Sequence, residues 1–350
     1  MKYKIISIIS LLFIIFSINC YAADSDKDIL DKAPVDVVYK YIDLRDKALN
    51  RKKKIVKDLD NEELRYSIRS VLKNIPWVRK IYIIMPNEKV RFLKEPDEIN
   101  DKIVYVKDKD LLGYDSASSI TFEFNFWRLK DFGCSENFIY LNDDYFIGKP
   151  LKKSDFFYVN NKGKVVPYIF TRGKKSATIV NYNTILNQCS YLKNIVDNSA
   201  IKSQTSALYR FQTWEACRFL YKVFNKKKLR LVISTSHNAE GYNLKDSKEL
   251  YDLVNSRYKY AKECLGSTYR HKSQLTNKAL YNNYFLNKEN RKIGKIDCAY
   301  IDMGTAGWAN FNRQLFCINT AGGRVYSNWE RKNAKNRMKK LFPRKSIYEK

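Results

Sequence analysis

The segment Phe138-Ile-Tyr-Leu-Asn-Asp-Asp-Tyr-Phe146 constrains the fold more than any other part of this chain. A hydrophobic strand pattern stops at Asn142, and two carboxylates, Asp143 and Asp144, stand where the strand emerges. In an open α/β sheet, ligands collect at the carboxyl ends of strands. Adjacent acids at such an end suit a hard cation carrying phosphate. A metal-dependent transfer reaction is therefore the first expectation, with Asp143 and Asp144 as metal ligands.

The surrounding sequence supplies partners for that strand. Residues Pro34 to Asp43 read as a buried strand ending in an acid, Lys80 to Met85 as a second, and Ile103 to Val106 as a third. Between the first two, Leu64, Ile68, Val71, Leu72 and Ile75 form one apolar stripe at helical spacing. Asp60 or Asn61 would cap that helix, Glu63 has capping-box spacing from Asp60, and Pro76 ends it. Residues 117–132 read as a helix leading into the acidic strand. The order strand, helix, strand, strand, helix, strand predicts a Rossmann-like α/β fold. Its twisted, mostly parallel sheet would carry helices on both faces, with insertions.

The second half is less regular. It predicts strands at Val165–Phe170, Leu229–Ser234, Ile296–Ile301 and Leu315–Ile318. Helices are expected at Thr205–Phe224, 245–262, 273–287 and 328–341. With 12 Gly and 7 Pro in 350 residues, long flexible linkers are not expected, so residues 34–350 read as one catalytic domain.

The N-terminus reads as a secretory signal over residues 1–23. A short basic start precedes the apolar run Ile5–Ile18, and small residues at Ala22 and Ala23 offer a cleavage site. That run is short of the ~20 residues a membrane span requires. An uncleaved anchor over residues 5–18 is the alternative to export into a periplasm, an organelle lumen or the medium. The net charge of +28 fits a polyanionic partner or peripheral contact with a membrane, and equally a scattered lysine bias. Nucleic acid is not expected of an exported chain. Removal of Cys20 would leave Cys134, Cys189, Cys217, Cys264, Cys298 and Cys317, an even number that permits three disulfides or six free thiols.

Only two histidines are present, His237 and His271. His237 follows a predicted strand in a Ser/Thr/Asn setting, where a neutral imidazole can take a proton from a hydroxyl or attack phosphorus itself. Arg65, Arg69 and Arg270 are candidate phosphate clamps, because a guanidinium donates two parallel hydrogen bonds to phosphate oxygens. No nucleophile elbow, phosphate-binding loop or dinucleotide glycine motif occurs.

Together these segments resemble the Stealth family of sugar-phosphate transferases, which includes bacterial capsular polysaccharide phosphotransferases and the N-acetylglucosamine-1-phosphate transferase of lysosomal targeting. Four blocks carry the resemblance in order. They are Val35–Asp43; Asp60–Ser70 with Pro76–Tyr82 and Phe138–Asp144; His237 with Tyr269-Arg-His271; and Phe316–Asn319 with Leu341–Glu349.

The resemblance implies a glycosyltransferase A-like sheet and transfer of a hexose-1-phosphate from a nucleotide-sugar donor to a glycan hydroxyl, with Mg²⁺ or Mn²⁺. It implies catalytic roles for His237, Asp143 and Arg270. It further implies contacts to substrate from Asp43, Asn61, Arg65, Arg69, Glu123, Asn142, His271 and Asn319. The chain departs from the family pattern at Leu44, Trp127, Gln274 and Thr320, which bears on acceptor choice. Two rivals stand beside this reading: a metal-dependent glycosyltransferase of similar fold, and a secreted glycan-binding protein without turnover.

Overall fold

The computed structural model describes residues 26–42, 62–86, 89–95, 98, 102–171, 177–198, 206–225, 227–233, 237–302, 311–319 and 327–350. The signal-like segment 1–23, Asp43, Asp60 and Asn61 lie outside the described residues, as do Leu44 and Thr320. Among the described residues, no helix is long and apolar enough to cross a membrane.

The first four strands are β1 (Val35–Lys40), β2 (Ile81–Met85), β3 (Ile103–Lys107) and β4 (Asn137–Asn142). They are followed by β5 (Tyr145–Ile147), β6 (Phe157–Val159), β7 (Val165–Pro167), β8 (Thr178–Asn181) and β9 (Lys228–Leu231). The last three are β10 (Glu240–Asn243), β11 (Cys298–Asp302) and β12 (Leu315–Asn319). A central five-stranded sheet has the order β10-β4-β1-β2-β3. Its β4, β1, β2 and β3 run parallel, and β10 closes the edge antiparallel to β4. A smaller sheet has the order β11-β12-β5, and two antiparallel pairs, β6 with β7 and β8 with β9, lie outside both.

Strands buried on both faces read as near-continuous apolar runs, and all six residues of the central β1 are buried. The alternation of side chains sorts them into two clusters. Val37, Tyr39, Ile81, Ile83, Ile139 and Leu141 pack with Leu64, Ile68 and Val71 of the helix Glu63–Asn74. On the opposite face Val38, Tyr82, Ile84, Phe138 and Tyr140 meet Phe122, Phe126 and the helices that follow β9. Helices therefore cover both faces, as the sequence order predicts.

Several expectations need correction. The first described helix after β1 opens at Glu63 with Glu62 at its N-cap in left-handed backbone, and no side chain caps it. The expected helix over 117–132 is an α-helix only over Ser119–Asn125. It tightens to 3₁₀ over Phe126–Phe132 and closes on Gly133 at φ +76°. The expected helix over 245–262 breaks at Tyr258 into Leu244–Arg257 and Ala261–Gly266. The helix Tyr182–Asn198 and strands β5, β6, β8 and β10 were not expected. All six cysteines from Cys134 to Cys317 are free thiols, so the three-disulfide alternative fails.

Candidate active site

The acidic strand changes sheets at its carboxyl end. β4 ends at Asn142, the chain turns through Asp143 and Asp144, and Tyr145 opens β5 in the smaller sheet. Asp143 and Asp144 therefore sit at the seam between two sheets, both half-buried.

Two registers determine what meets them. In the β5–β12 ladder, Tyr145 lies opposite Cys317. That register brings Ile318 N–H to the Asp144 carbonyl at 3.0 Å. It also brings the Cys317 thiol to Asp144 Oδ2 at 3.3 Å. In the antiparallel β10–β4 ladder, Glu240 lies opposite Tyr140. Continued three places, that register runs the segment carrying His237 past the carboxyl end of β4, beside the acid turn.

The contacts of His237 agree. Its Nδ1 is 3.3 Å from the Tyr145 hydroxyl, and its Nε2 is 3.3 Å from Asn319 Nδ2. The rings of Tyr145, Tyr300 and Tyr209 surround the imidazole at centroid distances of 5.2, 5.8 and 6.4 Å. Asp144, His237 and Cys317 each offer a ligand atom within 4.8 Å of the others, and these three could hold a metal ion.

The electrostatics favour a cation at this seam. Burial pushes the Asp144 carboxyl up to about 7; the Cys317 hydrogen bond and Lys278 act against that, and Glu63 adds to it. Burial and Asp144 both push the Cys317 thiol well above its ordinary range, so it stays protonated and donates to the carboxylate. A bound cation offsets the desolvation of such a carboxylate. The carboxylates of Asp143 and Asp144 have the oxygen chemistry of Mg²⁺ or Mn²⁺ ligands, whereas His237 and Cys317 add nitrogen and sulfur.

A second line of polar groups runs from Asn142 toward Arg270. The Tyr140 hydroxyl donates to Asn142 Oδ1 at 2.6 Å and lies 3.3 Å from Glu123 Oε1. Burial pushes Glu123 up to about 7, while the charges of Lys278 and Arg270 lower it. Arg270 is exposed, and its Nη2 donates to Ser119 Oγ at 3.1 Å. His271 is also exposed; its Nδ1 accepts from Ser273 N–H at 3.2 Å and caps its own turn. Gln274 braces that turn from within, accepting from His271 N–H at 3.0 Å and donating to the Glu263 carbonyl at 2.7 Å.

Arg69 is engaged elsewhere. Its Nε and Nη2 grip both carboxylate oxygens of Glu349 at 2.8 and 2.7 Å, and its Nη1 donates to the Phe342 carbonyl at 2.9 Å. Arg65 pairs with Glu62 at 2.8 Å and lies over the Phe92 ring. The phosphate-clamp expectation thus meets two guanidiniums already paired with acids, and Arg69 ties the first helix to the chain's last residues. Trp127 packs on Tyr251 with Lys248 over its ring, so this departure from the family pattern sits in a packing role.

Sequence reasoning missed Tyr145, Cys317 and Lys278. Lys278 is a buried cation that donates to the Asn238 carbonyl at 2.7 Å, pairs with Glu240 at 3.1 Å and lies over the Tyr145 ring. It fixes the backbone next to His237. Asp36 and Asp108 show how the fold handles its other buried acids: Arg79 holds Asp36, and Lys40 holds Asp108 at 2.9 Å. Asp144 is paired with a neutral thiol, which sets it apart from them.

Comparison with known proteins finds similarity over part of the chain. Residues 57–166 match Stealth protein CR2, conserved region 2, a span that contains the first helix, β2 to β4 and the acid turn. The capsular polysaccharide phosphotransferase fcs1 of Haemophilus influenzae is 33% identical over 150 residues, 38% of this chain and 40% of that one. A capsular polysaccharide phosphotransferase of Neisseria meningitidis serogroup B is 30% identical over 168 residues, 42% of this chain and 44% of that one. The N-acetylglucosamine-1-phosphotransferase subunits alpha/beta of Mus musculus are 37% identical over 111 residues, 31% of this chain and 8% of that one. The chain spans less than half the length of these relatives.

Proposed function

We propose that this chain, whose residues 57–166 match the second conserved region of the Stealth family, transfers a hexose-1-phosphate from a nucleotide-sugar to a hydroxyl of a glycan. The observation that carries the reading is the meeting of Asp144 and His237 at the strand end, drawn from segments more than ninety residues apart.

In the proposed reaction the acceptor hydroxyl attacks the phosphorus that bears the sugar. The new P–O bond forms as the pyrophosphate P–O bond breaks, and nucleoside monophosphate leaves while the anomeric C–O bond survives. His237 takes the hydroxyl proton. The Tyr145 contact at Nδ1 and the Asn319 contact at Nε2 hold the ring, and the acceptor hydroxyl would displace the Asn319 amide from Nε2. Asp143 and Asp144 would hold Mg²⁺ or Mn²⁺, and such an ion supplies charge neutralisation on phosphate oxygens. Arg270, exposed and with its charge acting on Glu123, lies at the outer end of the polar line and would offer a guanidinium to the donor. The export signal is retained as a proposal, with a lumenal or surface glycan as acceptor.

The test is phosphorus NMR on the purified product. A phosphodiester resonance that persists on the acceptor supports the proposal. A glycan product without phosphorus supports the rival glycosyltransferase, and absence of any product over a panel of activated sugars supports the non-catalytic rival.

A further inference from the structure

We propose that Asp144, His237 and Cys317 form a binding site for a thiophilic divalent cation of the zinc class. The site differs in chemistry from an all-oxygen magnesium or manganese site, and it depends on the transferase reading only for its effect on turnover.

The donors argue for this directly. One carboxylate, one imidazole and one thiol come from three separate places, the β4–β5 turn, the segment before β10 and the middle of β12. Zinc bonds of about 2.3 Å to sulfur and about 2.1 Å to nitrogen or oxygen set tetrahedral ligands roughly 3.5 Å apart. Cys317 Sγ and Asp144 Oδ2 are 3.3 Å apart, close to that edge length. The third donor lies within 4.8 Å, so a small closing movement completes one face of a tetrahedron. Three protein ligands with a fourth position left to water is the pattern of reactive zinc sites. Magnesium does not use a thiol.

The frame around the ligands is rigid. Cys317 lies in the β12 ladder between β11 and β5, and Ile318 N–H ties the same strand to the Asp144 carbonyl. His237 is held between Tyr145 and Asn319. On binding, the Cys317 S–H bond breaks, its proton goes to solvent and a metal–sulfur bond replaces the thiol's hydrogen bond to Asp144. The same event occupies a nitrogen of His237. Zinc at this site would therefore take the proposed base out of the reaction and act as an inhibitor.

Cobalt(II) titration of the full chain tests the site without reference to activity. A near-ultraviolet thiolate-to-cobalt absorption is expected, displaced by zinc and absent in Cys317→Ser. Zinc affinity, read by competition with a chromophoric chelator, should fall more than tenfold in that variant. An equal band in Cys317→Ser, or no band in the native chain, overturns the proposal. If the variant does not fold, X-ray absorption on the zinc-loaded native chain decides. One sulfur neighbour at about 2.3 Å supports the site, and a shell of oxygen and nitrogen alone overturns it. A failed donor screen would remove the transferase reading and leave these metal readouts unchanged.

Discussion

At the scale of single residues, the site rests on groups whose chemistry depends on burial. Asp143, Asp144 and His237 stand out in the sequence as candidates, because two acids after an apolar run and a rare histidine in a polar setting are visible locally, and the structure brings Asp144 and His237 together. Cys317, Tyr145 and Lys278 were not legible. Each acquires its role from a neighbour set by strand register or helix placement, and no local pattern encodes that. His237→Ala should lower kcat by about 10²–10⁴, the usual contribution of a positioned general base. Circular dichroism should be unchanged, and full turnover in the variant would refute the role. Glu123 gives a second residue-scale prediction. Its folded carboxyl holds its proton to about 7 against an ordinary value of 4.5, because it is buried. Between those pH values the unfolded chain releases a proton that the folded chain keeps, so stability falls as pH rises, by about 3 kcal/mol in total. Glu123→Gln should remove the part of that slope due to Glu123, while Asp144 and Glu240, also raised to about 7, keep theirs. Urea unfolding across the window should show the variant gaining on the native chain as pH rises, and parallel curves would contradict the shift.

At the scale of elements, the first helix does more than cover the sheet. Its apolar stripe was readable, and Leu64, Ile68 and Val71 bury against β1 and β2 as that stripe implies. A second row, Ser67, Ser70 and Asn74, carried no visible signal and grips β5. Ser67 Oγ donates to the Tyr145 carbonyl. Ser70 Oγ accepts from Ile147 N–H at 3.0 Å, and Asn74 Nδ2 donates to the Ile147 carbonyl at 2.5 Å. The helix thereby sets the height of the strand that follows the acid turn. Asn74→Ala leaves a buried carbonyl unpaired and should cost about 1–3 kcal/mol in urea unfolding. An unchanged midpoint would show that the Asn74 contact adds nothing to the hold of Ser67, Ser70 and β12 on β5. The edge strand β10 was not legible for a related reason. Glu240-Gly-Tyr-Asn243 has no apolar alternation, and its burial comes from packing on β4 and from the Lys278–Glu240 pair.

At the scale of the molecule, the four segments that resemble one family were readable in order, yet their meeting point was not. The sheet order β10-β4-β1-β2-β3 places the carboxyl end of β4 beside the return of a segment nearly a hundred residues downstream. The smaller sheet then delivers Asn319 and Cys317 from farther still. This assembly by non-local pairing is why Asp144, His237, Cys317 and Asn319, far apart in the sequence, meet at one place. The measurement that tests the account most directly follows the nucleotide released from a panel of nucleotide-sugars, with a glycan acceptor and with or without Mn²⁺. The account predicts metal-dependent release of nucleoside monophosphate by the native chain and release slower by about 10²–10⁴ from His237→Ala; release of nucleoside diphosphate would contradict it, because the sugar would then have left its phosphate behind.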